Sequence, residues 1–266
     1  MAQNLSKEAQ ELLDLLEKKQ KMVAMLAPSF VVDFQYPEIV GRLKRLGFEI
    51  VAEVSRGAID TNKQLNALLK LHPGRRVITS PCPTIVRLIR NKYPHLEQYL
   101  AKIDSPMTAT AKILRKEYPG YKVVHFSPCM VKKLEANEDF PELEILALTY
   151  KDLAAVFLAK KNVALKKDLK AKFDIVGEET RLYPISGGLA QSSGITKNFT
   201  DEEYDVISGP VLADKVLKDF PHKPELKILD ILNCDGGCIA GPGMISVDGL
   251  SRRRQKVVDF WKSQNS

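Results

Sequence analysis

The chain has 266 residues, 44% of them hydrophobic and 27% charged, enough for a full core in one large domain or two lobes and too apolar for disorder. Lys and Arg total 40 against 33 Asp and Glu, a net charge of +7. The excess lies on helical faces such as Lys160, Lys161, Lys166 and Lys167 and in the run Arg252-Arg253-Arg254; without aromatic interleaving it reads as solvated surface, not as a nucleic-acid site. No run of about 18 apolar residues and no basic-then-apolar leader is present, so a cytoplasmic protein with no membrane partner is expected.

In chain order, the spacing of Leu12, Leu13, Leu16 and Met22 predicts an amphipathic helix that precedes the core, so residues 1–21 are set apart from a domain spanning 22–266. MVAML then reads as a strand, YPEIVGRLKRLG as a helix closed by Gly47, FEIVAEVS as a strand, DTNKQLNALLKLH as a helix and RRVITS as a strand. PTIVRLIRNKY and SPMTATAKILRKEY are predicted helices, the second opened by Ser105 as N-cap and Pro106 in the first turn. YKVVHFS is a strand and TYKDLAAVFLAKK a helix. FDIVG, RLYPIS, YDVISG and LKILDILN are read as short strands, PVLADKVLKDF as a helix, and a final amphipathic helix runs from about 250. The alternation predicts an α/β fold of mainly parallel sheet in two lobes flanked by helices, with any ligand in the cleft beyond the carboxyl ends of the strands.

Three of those strand ends carry all four cysteines: Cys82 in SPCP, Cys129 in SPCMVKK, and Cys234 with Cys238 in NCDGGCIAGPG. The thiols are separated by 46, 104 and 3 residues, yet the topology brings their loops to one face. In a chain expected in the cytoplasm, disulfides are not the natural use. Structural zinc normally takes two close pairs and here only one pair is close, as CxxxC; the glycines at 236, 237, 241 and 243 leave room for a bulkier cluster and aim backbone N–H groups at it. Cys82 and Cys129 are also predicted at helix N-termini, where a thiolate is favoured. Spacing by itself leaves an iron–sulfur cluster, a zinc ion and buried thiols all open.

TSPCP, SPCMVKKLEA, the glycine pair 187–188 and CDGGCIAGPGM, together with MLAPSF, LGFEIVAEVSRGA and DSP at 104–106, resemble in order and spacing the loops of the iron-only (diiron) hydrogenase catalytic domain, over about residues 22 to 244. The pattern is most similar to that family's sensory branch. The resemblance implies a six-iron site between the lobes: a 4Fe-4S cubane held by Cys82, Cys129, Cys234 and Cys238, with Cys238 bridging to a diiron subcluster bearing CO, CN and dithiolate ligands. It implies Lys132 as the hydrogen-bond donor to a cyanide and Glu135 as its support. Ser80, Pro128, Met107 and Gly188 are implied as further wall residues of the cofactor site. The implied partners are H2 and protons, a ferredoxin-like electron donor or acceptor, maturation proteins that install the diiron unit, and a signalling partner.

The departures from the family pattern are expected to matter. Pro81 stands where catalytic members keep the cysteine that delivers protons. The acids of the proton relay align with Thr61 and Gln64, its arginine with Leu68 and its serine with Ala101. Near the diiron unit, Met107, Ser127, Leu232 and Gln191 replace the usual residues. The expectation is a protein that reacts reversibly with H2 at low turnover and senses H2 or redox state, as an excised module or by docking on a partner. The alternative is an iron–sulfur scaffold that holds only the cubane.

Overall fold

MVAML is apolar at every position because both faces of its strand are covered. In the computed structural model, which describes residues 5–263, the side chains of Met22, Ala24 and Leu26 pack into one core cluster and those of Val23 and Met25 into another on the opposite face. Such two-sided burial is the signature of a parallel sheet between helical layers. The strands are β1 (Met22–Leu26), β2 (Ile50–Glu53), β3 (Val77–Ile78), β4 (Lys122–Ser127), β5 (Leu146–Thr149), β6 (Tyr204–Ser208) and β7 (Ile228–Leu232). They form a four-stranded sheet in the order β2-β1-β4-β5 and a three-stranded sheet in the order β3-β7-β6, and every pairing is parallel. The expected α/β architecture is present.

The helices are α1 (Lys7–Glu17), α2 (Glu38–Leu46), α3 (Ser55–Leu71), α4 (Pro83–Lys92), α5 (Pro106–Glu117), α6 (Val131–Leu134), α7 (Tyr150–Ala159), α8 (Gly188–Ser193), α9 (Ile195–Asn198), α10 (Pro210–Asp219) and α11 (Leu250–Ser263). Ser105 caps α5, its hydroxyl accepting the Thr108 N–H, and Gly47 closes α2 with φ of 130°, a conformation that a β-carbon disfavours. α1 buries Ala9 and Leu12 in the same core as β1, so the first helix joins that core. At the other end, α11 inserts Val257 and Phe260 into it. Arg253 of α11 donates to the Ile239 carbonyl, which ties this helix to the turn after Cys238, so the basic run is partly structural.

The structure departs from the sequence expectations in the segment 173–186. FDIVG is not a strand: it lies along β2 with a single bridge, Ile175 opposite Ala52, before Gly177 turns it into a short 3₁₀ turn. RLYPIS is not a strand either. Successive turn bonds from Tyr183 to Thr180 and from Ile185 to Leu182 coil it around a buried ion pair, Arg181 with Glu53, whose atoms approach to 2.6 Å. Three smaller differences occur. β5 is not foreseen: the sequence reading starts the helix at Thr149 and assigns nothing to residues 146–148, a short apolar run that leads straight into a helix capped by Thr149 and Asp152. β3 has only two paired residues, and α3 begins at Ser55 instead of Asp60.

Candidate metal centre

The carboxyl ends of β1, β2, β3, β4 and β7 meet at one cavity of about 80 Å³ between the two sheets. Its wall includes Pro28, Pro81, Met107, Pro128 and Leu232, and at one side Cys129 and Cys238. All four cysteines are free thiols, and Cys82 and Cys234 lie close enough to Cys238 to act on its ionisation. Cys238 is raised well above the ordinary thiol range, first by burial and then by the charges of Cys82, Cys129 and Cys234. Cys234 is pushed up to about 11 by burial and by Cys82 and Cys129, and Cys129 is raised by burial and by Cys82. Cys129, Cys234 and Cys238, each raised by burial and by neighbouring cysteines, would need a cationic group to hold them as thiolates.

Each thiol owes its place to a local device. Cys82 is the N-cap of α4, with Pro83 in the first turn, and its carbonyl accepts the Ile85 and Val86 N–H groups at 3.1 Å. Cys129 follows β4, and the Val131 and Lys132 N–H groups point at its sulfur. Gly237, with φ of 106°, lets the Cys234–Cys238 turn lie against Pro184, where a β-carbon would strike the proline carbonyl. Among the described residues, no three His, Cys, Asp or Glu side chains close on a position for a single metal ion. A donor set of four cysteines on three separate loops, only one pair of them close in sequence, suits an iron–sulfur cluster better than structural zinc.

Lys132 reaches the cavity from α6. Its Nζ donates to Glu135 Oε2 at 2.5 Å, to Ser105 Oγ at 3.1 Å and to the Pro81 carbonyl at 3.4 Å. Glu135, Ser105 and Ser80 line a separate, wide polar cleft of about 800 Å³, and Lys132 belongs to the wall between cleft and cavity. Ser80 is thus turned away from the cavity, with its hydroxyl bonded to the Ala101 carbonyl at 2.7 Å. Gly188 lies under the Leu182 carbonyl with no room for a β-carbon and seats α8, from which Leu189 lines the cavity. Gln191, expected near the cavity, is exposed.

The residues aligned with the proton relay are all engaged elsewhere. Thr61 bonds back to the Gly57 carbonyl, Gln64 holds Asp104 through two hydrogen bonds, and Leu68 packs in an apolar cluster. Among the polar cavity residues that sequence reasoning missed are His125 and Asp230. The period of two along a strand was the available signal: Ser127 and His125 share one face of β4, and Leu232 and Asp230 one face of β7. Burial lifts the Asp230 carboxyl to about 6, against the opposing hydrogen bonds from Ala190 N–H and Thr79 Oγ1.

Comparison with known proteins follows the same residues. Residues 20–242 match the family described as iron only hydrogenase large subunit, C-terminal domain. The chain is 26% identical over 194 residues to the cytosolic Fe-S cluster assembly factor NAR1 of Encephalitozoon cuniculi, a match covering 65% of this chain and 53% of that protein. It thus spans about half the length of that relative. Two variants of the FeFe-hydrogenase HydA1 from Chlamydomonas reinhardtii superpose with a TM-score of 0.69 at 16% and 17% identity, over 95% of this chain and 88% of theirs. An apo variant of the same hydrogenase superposes with a TM-score of 0.66 at 16% identity. At that level of identity the structural likeness establishes the fold, while the span of the family match establishes descent: the chain belongs to the family formed by the C-terminal domain of the iron-only hydrogenase large subunit.

Proposed function

We propose that Cys82, Cys129, Cys234 and Cys238 hold a 4Fe-4S cubane, and that the cavity beside Cys238 receives a diiron unit with CO, CN and dithiolate ligands at which H2 reacts reversibly and slowly. The observation that supports this reading best is that Cys82, Cys129 and Cys234 all lie near enough to Cys238 to perturb its thiol, while Cys129 and Cys238 line one cavity. When bound, the six-iron group supplies the redox chemistry and the splitting of H2. The chain's own residues exclude water with the apolar wall of Pro28, Pro81, Met107 and Leu232 and place the positive charge of the Lys132 ammonium in that wall, fixed by Glu135, Ser105 and the Pro81 carbonyl.

Low turnover follows from what the wall lacks. Pro81 has no ionisable group at the cavity, and its carbonyl is already bonded by Lys132. With no ionisable side chain at Thr61, Gln64, Leu68 or Ala101 to relay protons, a sensing role for H2 or redox state suits this chain better than bulk production. It would use an external ferredoxin-like electron partner, maturation proteins and a signalling partner. A cytoplasmic setting is supported by the NAR1 relative, described as cytosolic, and no described helix is long and apolar enough to cross a membrane. That relative also supports the second reading, an iron–sulfur scaffold with the cubane alone.

H2 evolution from a reduced dye tests the first reading. Protein loaded with a synthetic diiron complex is expected to evolve H2 above the cubane-only background but far below catalytic family members. Background-level evolution would favour the scaffold, and evolution equal to those enzymes would sink the sensor. Pro81→Cys is expected to raise that rate by at least about ten-fold, since positioned proton donors contribute about 10²–10⁴-fold. No rise, even with Thr61→Glu, Gln64→Glu, Leu68→Arg and Ala101→Ser added, would refute the proton-supply account.

A further inference from the structure

One polar side chain in the cavity wall makes no hydrogen bond of normal geometry among the described residues. His125 sits in β4 on the same face as Ser127 and is 1% exposed. Neither of its ring nitrogens makes a hydrogen bond, although one lies toward the backbone of Met25 in the adjoining strand β1. A neutral imidazole offers one donor and one acceptor, and leaving them bare in an enclosed interior forfeits their whole hydration. Native proteins keep such a group where something else completes it.

The other polar groups around this cavity are spoken for. Ser29 bonds Tyr150 at 2.8 Å, Tyr183 donates to Asn62 at 2.9 Å, Asp230 accepts from Ala190 N–H and Thr79, and Lys132 has three partners. Ser127 Oγ accepts the Cys129 N–H. Burial, with Lys132 adding to it, lowers His125 to about 3, so its imidazole is neutral in the working range. It therefore adds hydrogen-bonding capacity without adding charge.

We propose that His125 is a positioning residue for the occupant of the cavity, donating its ring N–H to a basic ligand atom of the diiron unit, a cyanide nitrogen by its chemistry. The inference rests on the reading of the cavity as the diiron site. It gives that unit a second polar anchor in addition to Lys132.

The test compares wild type, His125→Leu and His125→Gln, each reconstituted with iron and sulfide and then exposed to a synthetic diiron complex. In the infrared spectrum, His125→Leu is expected to displace one cyanide band beyond its linewidth. His125→Gln, which keeps an N–H donor, is expected to return that band toward its wild-type position. Retention of the complex should fall about ten-fold in His125→Leu, the worth of a hydrogen bond to a charged group. Before loading, His125→Leu should melt no lower than wild type, because leucine removes unpaired polar atoms; a lower melting temperature or failure to fold would assign His125 a structural role and overturn the proposal. Cyanide bands identical in wild type and His125→Leu would overturn it alone. No cyanide bands in wild type would overturn the diiron reading and the proposal with it.

Discussion

Cys238→Ala is expected to abolish assembly of the proposed centre, with iron and sulfide uptake per chain well below wild type and no retention of a diiron complex. Cys238 is the thiol most enclosed by its fellows: it lines the cavity, starts the turn after Gly237, and is raised by burial and by all three other cysteines. Removing it deletes one of the proposed cubane ligands and the only proposed link to the diiron unit. Serine cannot substitute well, because an alkoxide at that buried place is harder to form than a thiolate. Iron and sulfide analysis with the visible absorption of the reconstituted protein checks the expectation. Wild-type iron content together with wild-type retention of the complex would contradict the assignment of Cys238.

Arg181→Leu is expected to cost about 3–5 kcal/mol of unfolding free energy, the usual loss when one partner of a buried ion pair is removed. The Arg181 and Glu53 side chains are each 1% exposed; the guanidinium makes bonds of 2.6 to 3.1 Å to both carboxylate oxygens and stacks over the Phe260 ring at 4.6 Å. Burial outweighs the attraction of Arg181 and raises the Glu53 carboxyl, which shows how much desolvation the pair must offset. The double change Glu53→Leu with Arg181→Leu should recover much of the loss, since no charge is then stranded. Denaturant unfolding of the unloaded proteins measures both, and a double variant as unstable as the single one would contradict this account. Because Tyr183 and Pro184 reach the cavity from the same segment, Arg181→Leu should also impair loading.

The regular α/β units were legible because their residues speak with one voice. MVAML, YKVVHFS and LKILDILN are apolar runs with turn signals at their ends, and Ser105-Pro106 and Cys82-Pro83 announce helix starts. The segment 173–186 misled for the opposite reason. Its course is set by the buried pair of Arg181 with Glu53 and by the tight approach of Gly177 to Ser55 and Arg56, and these partners are distant in sequence. At the site, the loops bearing the cysteines could be read from their spacing and from family resemblance. Pro81, Met107, Pro128 and Lys132 then proved to line the cavity. His125 and Asp230 escaped notice because a lone polar residue inside an apolar strand reads as a satisfied core residue until its missing or perturbed partners are seen. Gln191 erred the other way, for helical rotation after the glycine pair points it to solvent.

The central claim is that this chain accepts a diiron unit beside its four-cysteine cluster. The most direct measurement is the infrared spectrum of wild-type protein reconstituted with iron and sulfide, incubated with a synthetic diiron complex, freed of excess reagent, and recorded under argon and then under H2. The account predicts carbonyl and cyanide stretching bands that stay with the protein and shift when H2 is admitted. A protein that shows cubane absorption but no such bands would contradict it and leave the iron–sulfur scaffold as the function.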